Sequence, residues 1–337
     1  RIMKRLILKD GYSPKLDLLQ TEIAIKYVKD TFEKDLAKEL KLTRVSAPLF
    51  ILPSTGLNDN LNGYERRVSF DIKNINENVE VVQSLAKWKR NALAKYNFAQ
   101  NTGLYTDMNA IRRDEELDTL HSAYVDQWDW EKIISKTDRN IAFLKKTVRS
   151  IYKVLKKVEK KVCEKFPVLQ PSLPDSIFFI TTKQLESMYP KLTPSEREYE
   201  ICKKYKAVFI MQIGGKLKNG LPHDGRAADY DDWNLNGDIM LYYENLDIAY
   251  EISSMGIRVD EDSIIEQLKA KGEEDKLTNQ YVQDVINKRL PYTIGGGIGQ
   301  SRLCMYMLKK AHIGEVQASV WPQEDISLLE KYNIHLL

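Results

Sequence analysis

Apolar positions near the start of the chain recur with a helical period. Ile25, Val28, Phe32, Leu36 and Leu40 fall at steps of three and four, which predicts an amphipathic helix over 16–40. The following stretch, KLTRVSAPLFILPS, turns β-like and ends near proline. A second long helix is predicted over 141–165, with Leu144, Val148, Ile151, Leu155, Val158 and Val162 on one face. Its other face carries Lys153, Lys156, Lys157, Lys160 and Lys161. With no interleaved aromatics, that face reads as solvated surface and not as a polyanion site. Short strands are predicted over 79–83, 207–213, 235–243 and 247–255. No internal repeat and no regular strand–helix alternation appears. The pattern therefore predicts an α+β fold with a mainly antiparallel sheet.

Composition narrows the class. The 337 residues are 43% apolar and 29% charged, ordinary for a globular chain of about two domains or one large one. Lys+Arg number 51 against Asp+Glu 48, a net charge of +3, so charge exerts no global pull toward nucleic acid. Cys163, Cys202 and Cys304 have no C-x-x-C spacing and read as reduced intracellular thiols. Four His with no H-E-x-x-H pattern exclude a zincin. No apolar run is long enough to span a membrane, and the basic opening RIMKRLILKDGYSPK lacks the apolar core of a signal peptide. A cytoplasmic location is expected. The chain opens on Arg1 and not on methionine, so it can begin inside a longer natural chain.

Four segments carry candidate chemistry. In PYTIGGGIGQSRLCMYML (291–308), Gly295, Gly296, Gly297 and Gly299 precede an apolar helix pattern. Glycines there admit a flat or anionic ligand close to the backbone, or they make a tight strand-to-helix joint. The run fits neither a Rossmann fingerprint nor a Walker loop. Arg302, one turn on, is placed to meet a ring or a phosphate. In LNGDIMLYYENLDIAYEISSMGIRVD (235–260), a hairpin turning at Glu244–Asn245 sets Asp238 directly opposite Glu251. Two opposed carboxylates suit a Mg²⁺ ion carried on nucleotide phosphates. DGRAADYDDW (224–233) clusters Asp229, Asp231 and Asp232, read alone as an acidic surface loop. Finally, QSLAKWKRNAL, TDMNAIRRDEE and HSAYVDQWDWE form one region. Either Arg112 or Arg113 points inward, suited to phosphate or carboxylate. Strand alternation puts Asp126 and Trp128 on one face, Gln127 and Asp129 on the other. Trp128 and Trp130 read as packing residues.

Taken in order, SLAKWKR, HSAYVDQWDWE, DYDDW, LNGDI, EISSMGIRVD, IGGGIGQSRL and HIGEVQASVWP resemble the asparagine synthetase A family, the ammonia-dependent aspartate–ammonia ligases. The resemblance covers nearly the whole chain. That family is similar in turn to the catalytic cores of class II aminoacyl-tRNA synthetases, those for Asp and Asn above all. Pro48 ends a segment like the dimer motif, Arg112 sits as the motif-two arginine, and Arg302 as the motif-three arginine.

The resemblance implies an antiparallel sheet flanked by helices, a single catalytic domain over 1–337, and a homodimer. It implies that ATP adenylates the side-chain carboxylate of aspartate and that ammonia then displaces AMP. Arg112 would hold the α-phosphate, and Arg302 the adenine and distal phosphates. Asp238 and Glu251 would carry Mg²⁺. Lys89 and Arg258 would meet substrate carboxylates. Asp59 and Gln127 would read the amino-acid head, with Ser84 and Ser253 beside them. Arg226, Ser254, Gly297 and Gly299 would line the ATP site, and Asp129 and Asp231 would stand at the nucleotide and ammonia end. One departure is visible. Trp233 is followed at once by Asn234-Leu235-Asn236, where the family pattern is longer. Either the loop is short here, or a mobile lid is absent from this sequence.

The alternatives make different demands. A tRNA-charging enzyme would need an anticodon-binding module, for which this sequence leaves no room, so no tRNA partner is expected. A non-catalytic paralogue would be expected to lose one of Arg112, Asp238, Glu251 or Arg302, and all four are present. A glutamine-dependent synthetase needs an N-terminal cysteine, and the first is Cys163.

Overall fold

The structure is a computed structural model that describes residues 5–59, 61 and 64–337. The first four residues of the basic opening, and Asn60, Asn62 and Gly63 of the STGLNDNLNG loop, lie outside the described residues.

Helix α1 (Leu18–Leu40) begins at a reciprocal cap, with the Asp17 carboxylate accepting from the Gln20 N–H and the Gln20 side chain accepting from the Asp17 N–H. Its apolar stripe buries Ala24, Val28, Phe32 and Leu36, and it ends at Lys41 in the left-handed region. Short strands β1 (Leu42–Arg44), β2 (Phe50–Ile51), β3 (Ser69–Phe70) and β4 (Val79–Val81) follow. Next come α2 (Ala86–Lys95), β5 (Gly103–Ile111), β6 (Tyr124–Ile133) and α3 (Ile141–Lys165). The middle of the chain supplies β7 (Phe178–Thr181), α4 (Thr182–Met188), α5 (Pro194–Tyr205) and β8 (Ala207–Met211). The long hairpin β9 (Asp231–Tyr243) and β10 (Ile248–Arg258) leads to α6 (Ser263–Lys271) and α7 (Gln280–Ile286). Strand β11 (Thr293–Gly299), α8 (Gln300–Met307) and α9 (Gln323–Glu330) complete the order.

The main sheet runs β1-β5-β6-β11-β10-β9-β8-β7. Its interior pairs are antiparallel, and only the outermost pairs, β1–β5 and β7–β8, are parallel. The expectation of a mainly antiparallel α+β sheet flanked by helices is met. Strands β2, β4 and β3 form a small second sheet. One core joins α1, α3 and α8 to the apolar sheet residues Trp128, Trp130, Ile239, Tyr250 and Ile298. Phe32 packs on Trp128 with ring centroids 4.8 Å apart. On the opposite face, smaller cores gather Ile180, Ile201, Val208 and Met240 at one side, and Ala92, Leu93, Leu104 and Ile133 at the other. The polar middle of the sheet is left open between them.

The lysine face of α3 is a solvated, paired surface, as expected. Lys156 meets Asp175 at 2.6 Å, Lys161 meets Asp35 at 2.7 Å, and Lys153 meets Glu39 at 3.5 Å.

The β9–β10 register corrects the sequence reading. The turn takes four residues, Glu244–Asp247, and the first pair is Tyr243 with Ile248. A bulge between Glu251 and Ser253 adds a further shift. Glu251 therefore opposes Met240, and Asp238 opposes Ser254. Asp238 and Glu251 do not face each other directly. They still share a face, because Asp238 lies two residues from Met240 and strand side chains alternate with period two.

The same hairpin accounts for the short connection after Trp233. Strand β9 runs through it, with the register slipping between Gly256–Asn236 and Arg258–Asp231. The extra residues form an irregularity inside the strand, where a longer segment would extend it. In this chain the connection between Trp233 and Asn234 is continuous strand.

Candidate active site

A cavity of about 510 Å³ opens over the middle strands. Every site residue implied by the family resemblance lines it except Asp238: Asp59, Ser84, Lys89, Arg112, Gln127, Asp129, Arg226, Asp231, Glu251, Ser253, Ser254, Arg258, Gly297, Gly299 and Arg302. They come from segments far apart in the chain, brought together by the sheet order. Asp238 sits behind the wall, in close contact with the Arg226 guanidinium.

The glycine run is a strand and not a phosphate-cradling loop. β11 lies between β6 and β10, and its missing side chains make room for those of its neighbours. A Cβ on Gly295 would stand 1.9 Å from Glu131 Oε1, and one on Gly297 would stand 2.4 Å from Gln127 Oε1. Neither position tolerates a methyl group without displacing a polar side chain.

Alternation along β6 works as predicted for the tryptophans, Gln127 and Asp129, while Asp126 also reaches the cavity lining. Trp128 and Trp130 enter the apolar core, while Gln127 and Asp129 line the cavity. Asp126, on the Trp128 side, accepts from the Ser301 N–H at 3.1 Å and from its hydroxyl at 2.7 Å, fixing the start of α8.

Part of the lining is a charged cluster, with Glu131 behind it. Arg258 donates to Glu131 at 2.9 Å and to Asp231 at 2.5 Å. Lys89 donates to the carbonyls of Trp130 and Gly296, both at 3.1 Å, and stands 3.3 Å from Asp129. Burial raises the Glu131 pKa, but Arg258 and Lys89 outweigh it and hold this carboxyl below its usual range. For Asp231 burial wins over Arg258, and its pKa rises. The two carboxylates differ because Glu131 has two cations and the Thr293 hydroxyl, while Asp231 has one close cation and feels Glu131 as a like charge. The supposed acidic surface loop is thus a set of buried ion pairs: Asp229 meets Lys87 at 3.0 Å, and Asp232 meets Arg139 at 2.7 Å.

Three further arginines join the lining. Arg112 follows β5, its backbone N–H donating to the Ala123 carbonyl at 2.8 Å, and it points inward while Arg113 is exposed. Its Nε is buried with no partner among the described residues. Arg302 donates to the carbonyls of Leu120 and Glu251, both at 3.2 Å, and lies over the Tyr250 ring. Its Nη2 is 3.1 Å from His121 Nε2, and His121 Nδ1 is 2.9 Å from Asp118. Arg226 is shared between Asp238 and Asp224, the latter at 2.7 Å. Glu251 opens onto the cavity's solvent yet lies deep in protein. Burial first, then Asp238, pushes its carboxyl up, against Arg226 and Arg302.

For a metal, the donor set is limited. The described residues hold no group of three or more His, Cys, Asp or Glu placed to bind an ion. Asp238 keeps one buried oxygen, Oδ1, without a partner among them. With Glu251 on the same face, that fits an ion brought in by phosphates and not one caged by protein.

Sequence reasoning missed several cavity residues, His121 and Gln83 among them. Both sit in quoted segments, HSAYVDQWDWE and QSLAKWKR, but neither is part of a periodic or charged pattern.

Comparison with known proteins places this arrangement. Residues 19–333 match the family described as aspartate-ammonia ligase. The aspartate–ammonia ligase of Ruminiclostridium cellulolyticum is 62% identical over 336 residues, covering 99% of this chain and 100% of that protein. That of Fusobacterium nucleatum is 61% identical over 327 residues, covering 97% of this chain and 100% of its own. Among solved structures, asparaginyl-tRNA synthetase from Pyrococcus horikoshii, complexed with asparaginyl-adenylate, superposes with a TM-score of 0.66 at 14% identity, covering 90% of this chain and 70% of that one. The asparaginyl-tRNA synthetase of Entamoeba histolytica gives 0.64 at 14% identity, covering 89% and 66%. At that identity the likeness shows the fold, a class II aminoacyl-tRNA synthetase core. The end-to-end identity shows more: this chain belongs to the aspartate–ammonia ligase family.

Proposed function

We propose that the chain joins ammonia to the side chain of aspartate in two steps at this one cavity. A side-chain carboxylate oxygen of aspartate attacks the α-phosphorus of ATP, and pyrophosphate leaves. Ammonia then attacks the activated carbonyl carbon, and AMP leaves with the electron pair of the broken C–O bond, giving asparagine. The single observation that carries the reading is the convergence on one cavity of cations and carboxylates from Asp59 to Arg302 in a chain 62% identical to a named ligase.

Adenylation builds negative charge at phosphorus and on the leaving pyrophosphate, so fixed cations matter more than proton transfer. Arg112, whose Nε has no partner among the described residues, is the group for the α-phosphate. Arg302, held by two carbonyls and His121, clamps the rest of the nucleotide. Asp238 and Glu251 would hold Mg²⁺, which supplies charge neutralisation to the phosphates. Lys89 and Arg258 face the aspartate carboxylates, and Asp59 and Gln127 read its head. Ammonium must shed a proton before attack, because only NH₃ carries the free electron pair. Asp129 is suited to accept that proton, since one of its oxygens faces Lys89 and Oδ1 has no partner among the described residues. Asp231 is held by Arg258 instead.

A homodimer belongs to the same reading. Leu49, Phe50 and Phe70 are exposed beside Pro48, and Phe50 and Phe70 form an edge contact at 5.2 Å. A cytoplasmic location is carried by the biosynthetic chemistry alone. The tRNA-charging alternative is not favoured, given 14% identity to the synthetases against 62% to the ligase.

The test is one incubation with ATP, Mg²⁺, aspartate and ammonium, followed by separation of nucleotides and amino acids. AMP with asparagine supports the reading. ADP as product, turnover without aspartate, or charging of added tRNA would sink it.

A further inference from the structure

Gln83 lies two residues beyond β4 and lines the cavity. It is 1% exposed, yet neither Oε1 nor Nε2 has a hydrogen-bond partner among the described residues. Buried primary amides are ordinarily paired, because an unpaired one has lost its water and gained nothing. A cavity wall is where such a group finds a partner when a ligand arrives.

Its backbone is pinned. The Gln83 N–H donates to Asn58 Oδ1 at 2.9 Å, and Asn58 Nδ2 reaches Glu80 Oε2 at 3.2 Å. Asn58 thereby ties Gln83 to the segment bearing Asp59, and Ser84 follows it on the same wall. A Gln amide offers an acceptor and a donor on one plane. A phosphate offers only acceptors and ammonium only donors. The zwitterionic head of an α-amino acid offers both, and one such group satisfies both orphaned atoms.

We propose that Gln83 is a substrate-binding residue that reads the α-ammonium and α-carboxylate of aspartate. The inference rests on the ligase reading and deepens it. Gln83 has no side-chain partner among the described residues because its partner is the substrate.

The experiment compares wild type with Gln83→Met, of similar length but apolar, and with Gln83→Glu, which keeps the shape and adds charge. Thermal unfolding of the ligand-free proteins is measured beside the KM for aspartate and for ATP. Gln83→Met should melt at or above the wild-type temperature, since it removes an unpaired buried amide. Its KM for aspartate should rise about tenfold or more with the KM for ATP unchanged. Gln83→Glu should also weaken aspartate, by repelling the α-carboxylate, and it stands as the test if the Met variant does not fold. A lowered melting temperature with both KM values unchanged would mean a structural role and overturn the proposal. So would equal changes in both KM values. Wild type that makes no asparagine overturns the ligase reading and this proposal together, whereas an active wild type with an unaffected Gln83→Met overturns the proposal alone.

Discussion

The buried histidine near the C-terminus makes a quantitative prediction about acid stability. His312 is fully buried; its Nδ1 accepts from the Gly314 N–H at 3.0 Å, and its Nε2 has no partner among the described residues. The ring meets Trp321 edge-on at 4.7 Å. Burial pushes its pKa down from 6.5 to about 4, with Arg5 adding to the effect and Asp118 and Asp325 opposing it. A histidine that stays neutral when folded is protonated more readily when unfolded. Its contribution is therefore complete above the unfolded pKa of about 6.5 and is lost as pH falls toward the folded pKa of about 4. The full difference is about 3 kcal/mol, of which about 2 kcal/mol is gone by pH 5. His312→Asn keeps an acceptor for Gly314 but nothing that titrates in this range. Urea unfolding of both proteins at pH 7 and pH 5 isolates the effect, because the carboxylates common to both cancel. Wild type should lose about 2 kcal/mol more than the variant over that interval. Parallel losses would refute the reasoning, and would mean that the imidazole is protonated in the folded protein.

Three further substitutions test other parts of the structure. Arg112→Ala should lower aspartate-dependent ATP–pyrophosphate exchange by about a hundredfold or more while gel-filtration behaviour stays the same; near-wild-type exchange would undo the assignment of this arginine. Gly295→Ala places a methyl 1.9 Å from Glu131 Oε1 and should destabilise by about 1–3 kcal/mol in urea unfolding, with a raised KM for aspartate because Arg258 loses its position. Phe32→Ala empties the contact with Trp128 between α1 and the sheet and should cost about 3–5 kcal/mol by the same measurement, leaving KM values unchanged if the protein still folds.

Much of this protein is legible in its sequence. The two long helices are written in their period, and α3 has the predicted bounds, 141–165. The split of Trp128 from Gln127 and Asp129 follows from strand alternation alone. These features depend on local geometry, which each short stretch carries with it; most of the site residues from Asp59 to Arg302 are named only through the family resemblance of their segments.

What only the tertiary structure decided depends on how stretches meet. The β9–β10 register turned on the length of a turn and on one bulge, which together moved the partner of Asp238 by three residues, from Glu251 to Ser254. The glycines of β11 are explained by side chains on β6 and β10 that claim their space, and no reading of 293–299 in isolation contains those neighbours. Asp229, Asp231 and Asp232 looked like a surface cluster until Lys87, Arg258 and Arg139 were packed against them. Gln83 was invisible for the same reason. Being buried and unpaired is a property of the surroundings, and a lone polar residue carries no periodic signal by which its surroundings can be foretold.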